Sequence, residues 1–278
     1  MKALMKKLAQ GAGVGFMFTL IGYGFMFFFK LLAARYFTSA EFGMYTMVET
    51  LLGLGGLVAS MGITGGMTRY IPFYREKSDY SKLTGYLLFS GVIPIFLSAL
   101  CGMVMYFLAD TLASFLDFPS VFSFLVQVLA FALPFKLFNK VTRGIFLAEK
   151  KILYHEFSYS FLEKFILLLG IGIIIWQQYS VTALIFVLLA SVALPSFFRL
   201  YLLVRHIDLP LVGDASYNTR DWLSFSLPLF FSGFLGYVVS WSDNLFVGWL
   251  LEASDLGVYS IAFSMGMFLS FFQGSFSN

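Results

Sequence analysis

Five ionisable side chains, Lys30, Glu49, Glu163, Lys164 and Asp243, fall inside long apolar stretches of this 278-residue sequence. An ionised group in the middle of a bilayer costs about 2.5–3.5 kcal/mol on insertion scales, so those that persist face a cavity or a partner. Tyr23, Phe27 and Lys30 share one helical face by i, i+4, i+7 spacing, and Tyr45, Glu49, Gly53 and Gly56 share another. Lys30 and Glu49 lie at similar depths. Three readings of them stand: a charged site in an outward-opening cavity, a structural ion pair, or Lys30 snorkelling to the interface. His155, Tyr159 and Glu163 recur at i+4 steps, and Glu156, Ser160 and Lys164 form a second such stripe beside them. Together they make a wide polar face on an otherwise apolar helix, which lipid would not tolerate, so it is expected to line a water-filled or protein interior. Ser232, Gly236, Ser240 and Asp243, with Asn244 adjacent, repeat the theme. The candidate binding set is therefore Lys30, Glu49, Tyr159, Glu163, Lys164, Asp243 and Asn244.

These groups can hold and release charge, but they do not compose a bond-making site. There is no His-Glu-x-x-His, no nucleophile elbow and no phosphate-cradling Gly-Lys-Ser/Thr loop. The Gly11-x-Gly13-x-Gly15 series opens a membrane span with no strand before it, unlike a dinucleotide loop. Cys101 stands alone in an apolar segment, and His155 and His206 are far apart, so neither a metal nor another cofactor is expected. No basic run is interleaved with stacking aromatics in a polar context, which argues against nucleic acid. An enzyme is not expected.

The elements that must position these residues are membrane helices. The sequence is 59% hydrophobic and only 12% charged, with 36 Phe, more apolar surface than a soluble domain can hide. At about 20 apolar residues per crossing, spans fall near 12–36, 42–66, 83–109, 119–142, 152–176, 181–204, 222–250 and 256–275. The first is too long for a cleaved signal peptide. Pro94, Pro134, Pro195 and Pro228 are expected to kink or break their helices. The glycines of the first two spans suit close helix packing or, as the alternative, hinges. Assigning basic residues to alternate loops puts 15 of 18 on one side: Lys2, Lys6 and Lys7; Arg69, Arg75, Lys77 and Lys82; Lys136, Lys140, Arg143, Lys150 and Lys151; Arg199, Arg205 and Arg220. That asymmetry places the N-terminus in the cytoplasm of a multi-pass protein of the cytoplasmic membrane.

The chain also repeats itself. Glu41-Phe42-Gly43-Met44-Tyr45-Thr46 is echoed by Asp255-Leu256-Gly257-Val258-Tyr259-Ser260 at an offset of 214, and the same offset pairs Ile21-Gly22-Tyr23 with Leu235-Gly236-Tyr237. Two matches at one offset suggest duplication, a common plan for transporters with the substrate path between repeats. At that offset Asp243 and Asn244 fall on Phe29 and Lys30. The expected organisation is an N-terminal six-helix lobe over 1–205, a cytoplasmic linker over 206–220, and two helices of a second lobe over 221–278. Because the repeat stops at the equivalent of Thr64, C-terminal truncation is expected.

The turn Glu41-Phe-Gly-Met-Tyr45 and the stretch Gly62-Ile-Thr-Gly-Gly-Met-Thr-Arg69-Tyr70-Ile71-Pro72 resemble the polysaccharide transporters of the multidrug/oligosaccharidyl-lipid/polysaccharide exporter superfamily. Asp243-Asn-Leu-Phe-Val-Gly248 with Asp255-Leu-Gly-Val-Tyr259 resembles the start of that family's second half. The resemblance implies an all-α, MATE-like two-lobe bundle that flips an isoprenoid-diphosphate-linked oligosaccharide by alternating access for polysaccharide biosynthesis. It also implies contact with membrane lipids and polysaccharide assembly proteins, and an inter-lobe cavity whose basic residues bind the diphosphate. Lys30 fits that role, although relatives carry more basic cavity residues than the spans just drawn supply. A cation-coupled multidrug exporter of the same superfamily is the alternative, kept open by Glu49, Glu163 and Asp243. A membrane-embedded glycosyl or acyl transferase would need paired Asp or a His-Asp couple on a loop, and neither is found.

Overall fold

The computed structural model describes residues 2–207 and 214–276, with side chains over 13–207 and 214–266. Every regular element among them is helical. Helix α1 (Lys2–Tyr36) is followed by α2 (Ser39–Ser60), a 3-10 turn (Ile63–Gly66), α3 (Met67–Glu76) and α4 (Tyr80–Phe115). Then come α5 (Ser120–Ala130), α6 (Ala132–Ala148) and a composite helix made of α7 (Ile152–Glu156), a π segment (Phe157–Glu163) and α8 (Lys164–Gln177). Helices α9 (Val181–His206), α10 (Thr219–Leu250) and α11 (Ala253–Phe276) complete the described chain. Among the described residues, seven helical stretches are long and apolar enough to cross a membrane. The eighth expected span, 256–275, falls in α11 and runs past the described side chains.

Local chemistry sets the ends of these helices. Thr38 caps α2: its Oγ1 accepts from Glu41 N at 3.3 Å while Glu41 Oε2 accepts from Thr38 N at 2.9 Å, a reciprocal capping box. The expected span over 42–66 ends instead at Ser60, because Met61 and Gly62 turn into the left-handed region at φ 43° and 68°. Pro134 lacks an N–H and crowds the carbonyl of Ala130, which accounts for the interruption at Phe131 between α5 and α6. Pro94, Pro195 and Pro228 do not break their helices; α4, α9 and α10 run on through them.

The outward surface is what a bilayer requires of it. Phe107 is 73% exposed, Trp176 79% and Val239 82%, a display that water would penalise and lipid accepts. Inside, one core gathers Phe29, Val48, Ala109, Phe122, Ile171 and Ile185 from the first six spans. A second forms around Trp222 at the start of α10, whose Nε1 donates to Tyr74 Oη at 2.9 Å and whose ring meets Tyr86 and Phe89 at 5.2 Å. The expected linker includes residues 208–213, which lie outside the described residues; farther on, Ser216 N donates to Ser81 O at 3.0 Å.

The repeated motifs pack on one another. Helix α11 lies along α2 in the most extensive helix contact of the described chain. A Cβ on Gly43 would collide with Ala253 O, and one on Gly257 would collide with Ser39 O. Those two contacts exchange under the 214-residue offset. Between them Thr46 Oγ1 donates to Ser260 Oγ at 3.1 Å, a bond between residues 214 apart that joins each position to its own equivalent. The repeat is therefore related by a local two-fold passing between Thr46 and Ser260.

Candidate functional site

A cavity of about 330 Å³ opens among α2, α6, the composite helix and α9. Four cationic side chains, Lys136, Lys140, Arg143 and Lys164, and two carboxylates, Glu49 and Glu163, line it, so its charge is net positive. Lys136, Lys140 and Arg143 stand on α6 at i, i+4 and i+7, which brings all three to one face. This corrects the charge-alternation reading, which placed them in a loop. They face the cavity from within a span, and they supply the basic residues whose scarcity the sequence suggested.

The acids hold two of these cations, Lys136 and Lys164, in place. Glu49 Oε1 lies 3.9 Å from Lys136 Nζ, and Glu49 Oε2 accepts from Tyr45 Oη at 3.1 Å. Glu163 is more deeply set, 7% exposed, with Oε1 accepting from Lys164 Nζ at 3.1 Å and Oε2 3.7 Å from Arg199 Nη2. Arg199, also read from sequence as a loop cation, is fully buried within α9. Its Nε donates to Ser158 Oγ at 2.9 Å and its guanidinium lies 5.6 Å from the Tyr159 ring centroid. Nη1 and Nη2 are buried without a hydrogen-bond partner. Lys164 sits on the same ring at 5.1 Å. A buried charge needs such company, since removing one partner of a buried pair costs about 3–5 kcal/mol.

The π segment sets this geometry. Ser158 Oγ donates to Tyr154 O at 2.7 Å and is also within 3.1 Å of His155 O, a side-chain claim on the backbone that competes with the regular ladder. Gly22 of α1 makes room for the Ser160 carbonyl, which a Cβ there would strike. Such insertions occur mostly as single turns inside α-helices, frequently at functional sites.

Of the seven sequence candidates, Glu49, Tyr159, Glu163 and Lys164 line this one cavity. Lys30 does not line it. Its Nζ donates to Ser264 Oγ at 2.9 Å, tying α1 to α11, though it remains near enough to act on Glu49 through its charge. Asp243 lies apart, accepting from Tyr259 Oη and, at 2.9 Å, from Asn244 N. Asn244 is 2% exposed, with Oδ1 buried and lacking a hydrogen-bond partner. Among the described residues, no cluster of three or more His, Cys, Asp or Glu is placed to hold a metal ion. What the arrangement can do is bind an anion in a shielded, positively charged chamber.

A family model described as polysaccharide biosynthesis protein matches residues 8–277. No curated protein matches the chain. Among solved structures, it is similar to one described as the inward-facing conformation of a multidrug resistance MATE family transporter of the MOP superfamily. The two share 17% identity at a TM-score of 0.67, over 86% of this chain and 57% of that one. At that identity the likeness shows the fold: a MATE-like helical bundle, of which this chain spans 57% of the other's length.

Proposed function

Because the chain belongs to the polysaccharide biosynthesis protein family, we propose that it acts in a membrane transporter that flips an isoprenoid-diphosphate-linked oligosaccharide across the cytoplasmic membrane by alternating access. The observation that supports this reading is the cluster of Lys136, Lys140, Arg143 and Lys164 around one cavity inside the bundle. A diphosphate carries several negative charges and must leave water to cross. Coulomb attraction at an effective dielectric near 20 is about fourfold that in bulk water, so a cationic chamber offsets much of that loss. Glu49 and Glu163 hold Lys136 and Lys164 while the chamber is empty and yield them to the phosphates. Lys30, bonded to Ser264, serves the same anion when α1 and α11 separate. The basic ends of the helices lie in the cytoplasm with the N-terminus, membrane lipids surround the bundle, and polysaccharide assembly proteins act on the product.

The second reading is a cation-coupled multidrug exporter, favoured by the described identity of the similar solved structure. It calls for acids to dominate the chamber, whereas cations outnumber carboxylates there. Complementation separates the two. In a strain lacking its oligosaccharide flippase, the full-length protein is expected to restore surface polysaccharide, and Lys140→Glu with Arg143→Glu to abolish the rescue at normal expression. Restored drug resistance without polysaccharide would support the exporter.

A further inference from the structure

A second cavity, of about 360 Å³, lies between α1 and the composite helix and shares Arg143, His155, Tyr159 and Lys164 with the basic one. Its chemistry differs from that of its neighbour. What it adds is Thr19, Tyr23, Glu156 and Ser160: two hydroxyls, a phenol ring and a carboxylate. Glu156 Oε2 accepts from Thr19 Oγ1 at 2.9 Å and from Ser160 Oγ at 2.6 Å, so two helices fix the carboxylate in place. A carboxylate has about four lone-pair sites, and the two hydroxyls occupy two of them. The rings of His155 and Tyr159 stack at 5.3 Å with an interplanar angle of 15°. Tyr23 and Tyr159 are 48% and 41% exposed. His155 is 3% exposed, and its Nδ1 is buried with no hydrogen-bond partner.

This set suits a particular kind of ligand. With two cations and one carboxylate, against four and two in its neighbour, this cavity holds an anion less well, and an acyl chain would leave the second carboxylate oxygen and the imidazole nitrogen unsatisfied. A neutral sugar ring suits the groups this cavity adds and the imidazole beside them, with its C–H face against the tyrosine rings and its hydroxyls bonding Glu156 and His155 Nδ1. We propose that this second cavity is a sugar subsite, taking a neutral hexose unit while the adjoining basic cavity holds the diphosphate to which it is linked. The proposal rests on the anion reading of the basic cavity. The shared residues Arg143 and Lys164 mark the boundary between the two.

Binding of two probes to the purified full-length protein tests it: farnesyl diphosphate, and farnesyl diphosphate bearing one glucose. The glucosylated probe is expected to bind about tenfold more tightly, the scale of one well-made polar contact pair. Glu156→Gln and Thr19→Val are each expected to remove most of that advantage while leaving farnesyl diphosphate affinity within about twofold, because neither residue lines the basic cavity. Thr19→Val preserves shape and loosens Glu156 indirectly, so it guards against a folding defect in the first variant. Equal binding of the two probes by the parent protein, or an advantage that survives both substitutions, overturns the sugar subsite and leaves the anion site standing. Binding of the glucosylated probe that Lys140→Gln does not weaken removes the anion reading instead. Failure of both probes to bind overturns both.

Discussion

Glu163 is shared by Lys164 at 3.1 Å and Arg199 at 3.7 Å, so removing its charge leaves two cations without their acid. Glu163→Leu is expected to destabilise the purified protein by about 3–5 kcal/mol, because Arg199 is buried too deeply to recover solvent. Adding Arg199→Met should restore part of that loss, read as a rise in the thermal unfolding midpoint over the single variant. Strictly additive losses would show that the two side chains do not interact. Lys30 gives a second test at this scale. Lys30→Gln can still donate to Ser264, so a purely structural role would survive it, whereas a role in meeting phosphate would not. Transport is expected to persist in Lys30→Arg and to fall sharply in Lys30→Gln. Glu163 and Lys164 were legible in the sequence because i+4 stripes of polar residues cannot face lipid. Arg199 was not, since an arginine near the end of an apolar run reads as part of the basic loop that follows it. Only the fold brings Ser158 and Glu163 to it.

At the scale of elements, the two-fold pairing of α2 with α11 is the contact on which alternating access would act. Gly43 and Gly257 let backbones touch at two symmetric points, and Thr46 bonds Ser260 between them. Replacing that pair by Thr46→Cys and Ser260→Cys, in a Cys101→Ala background, is expected to give a disulfide on mild oxidation that arrests transport until reduced. Free thiols after oxidation, or full transport by the cross-linked form, would show that α2 and α11 do not separate there. The repeat itself could be seen from two motif matches at one offset. Its chemical asymmetry follows the same alignment. Tyr45 meets the ring of Phe29 at 6.2 Å, and at the equivalent place Tyr259 donates to Asp243. The π segment left no trace in the periodicity, because an i+4 stripe looks the same whether its turn is α or slightly wider. The basic face of α6 was within reach: i, i+4, i+7 spacing was the signal, and assigning those residues to a loop hid it.

For the whole molecule, the fold and its sidedness are separate matters. Burial and hydropathy define a membrane bundle, while orientation rests on Lys and Arg at the helix ends. Single cysteines at Ser78 and Asn218 are expected to be shielded from impermeant thiol reagents in intact cells, and those at Ser39 and Ser254 to react. The opposite pattern would invert the proposed direction of transport. The role proposed for the cationic chamber is to carry a lipid diphosphate across the membrane. The most direct measurement uses the full-length protein in vesicles holding a fluorescent isoprenoid-diphosphate-linked sugar in both leaflets, with a membrane-impermeant quencher added outside. Near-complete quenching is expected with the parent protein, against roughly half in protein-free vesicles. A variant carrying Lys136→Gln, Lys140→Gln and Arg143→Gln, matched for insertion and stability, should quench only that outer half. Equal flipping by the parent and this variant would contradict it.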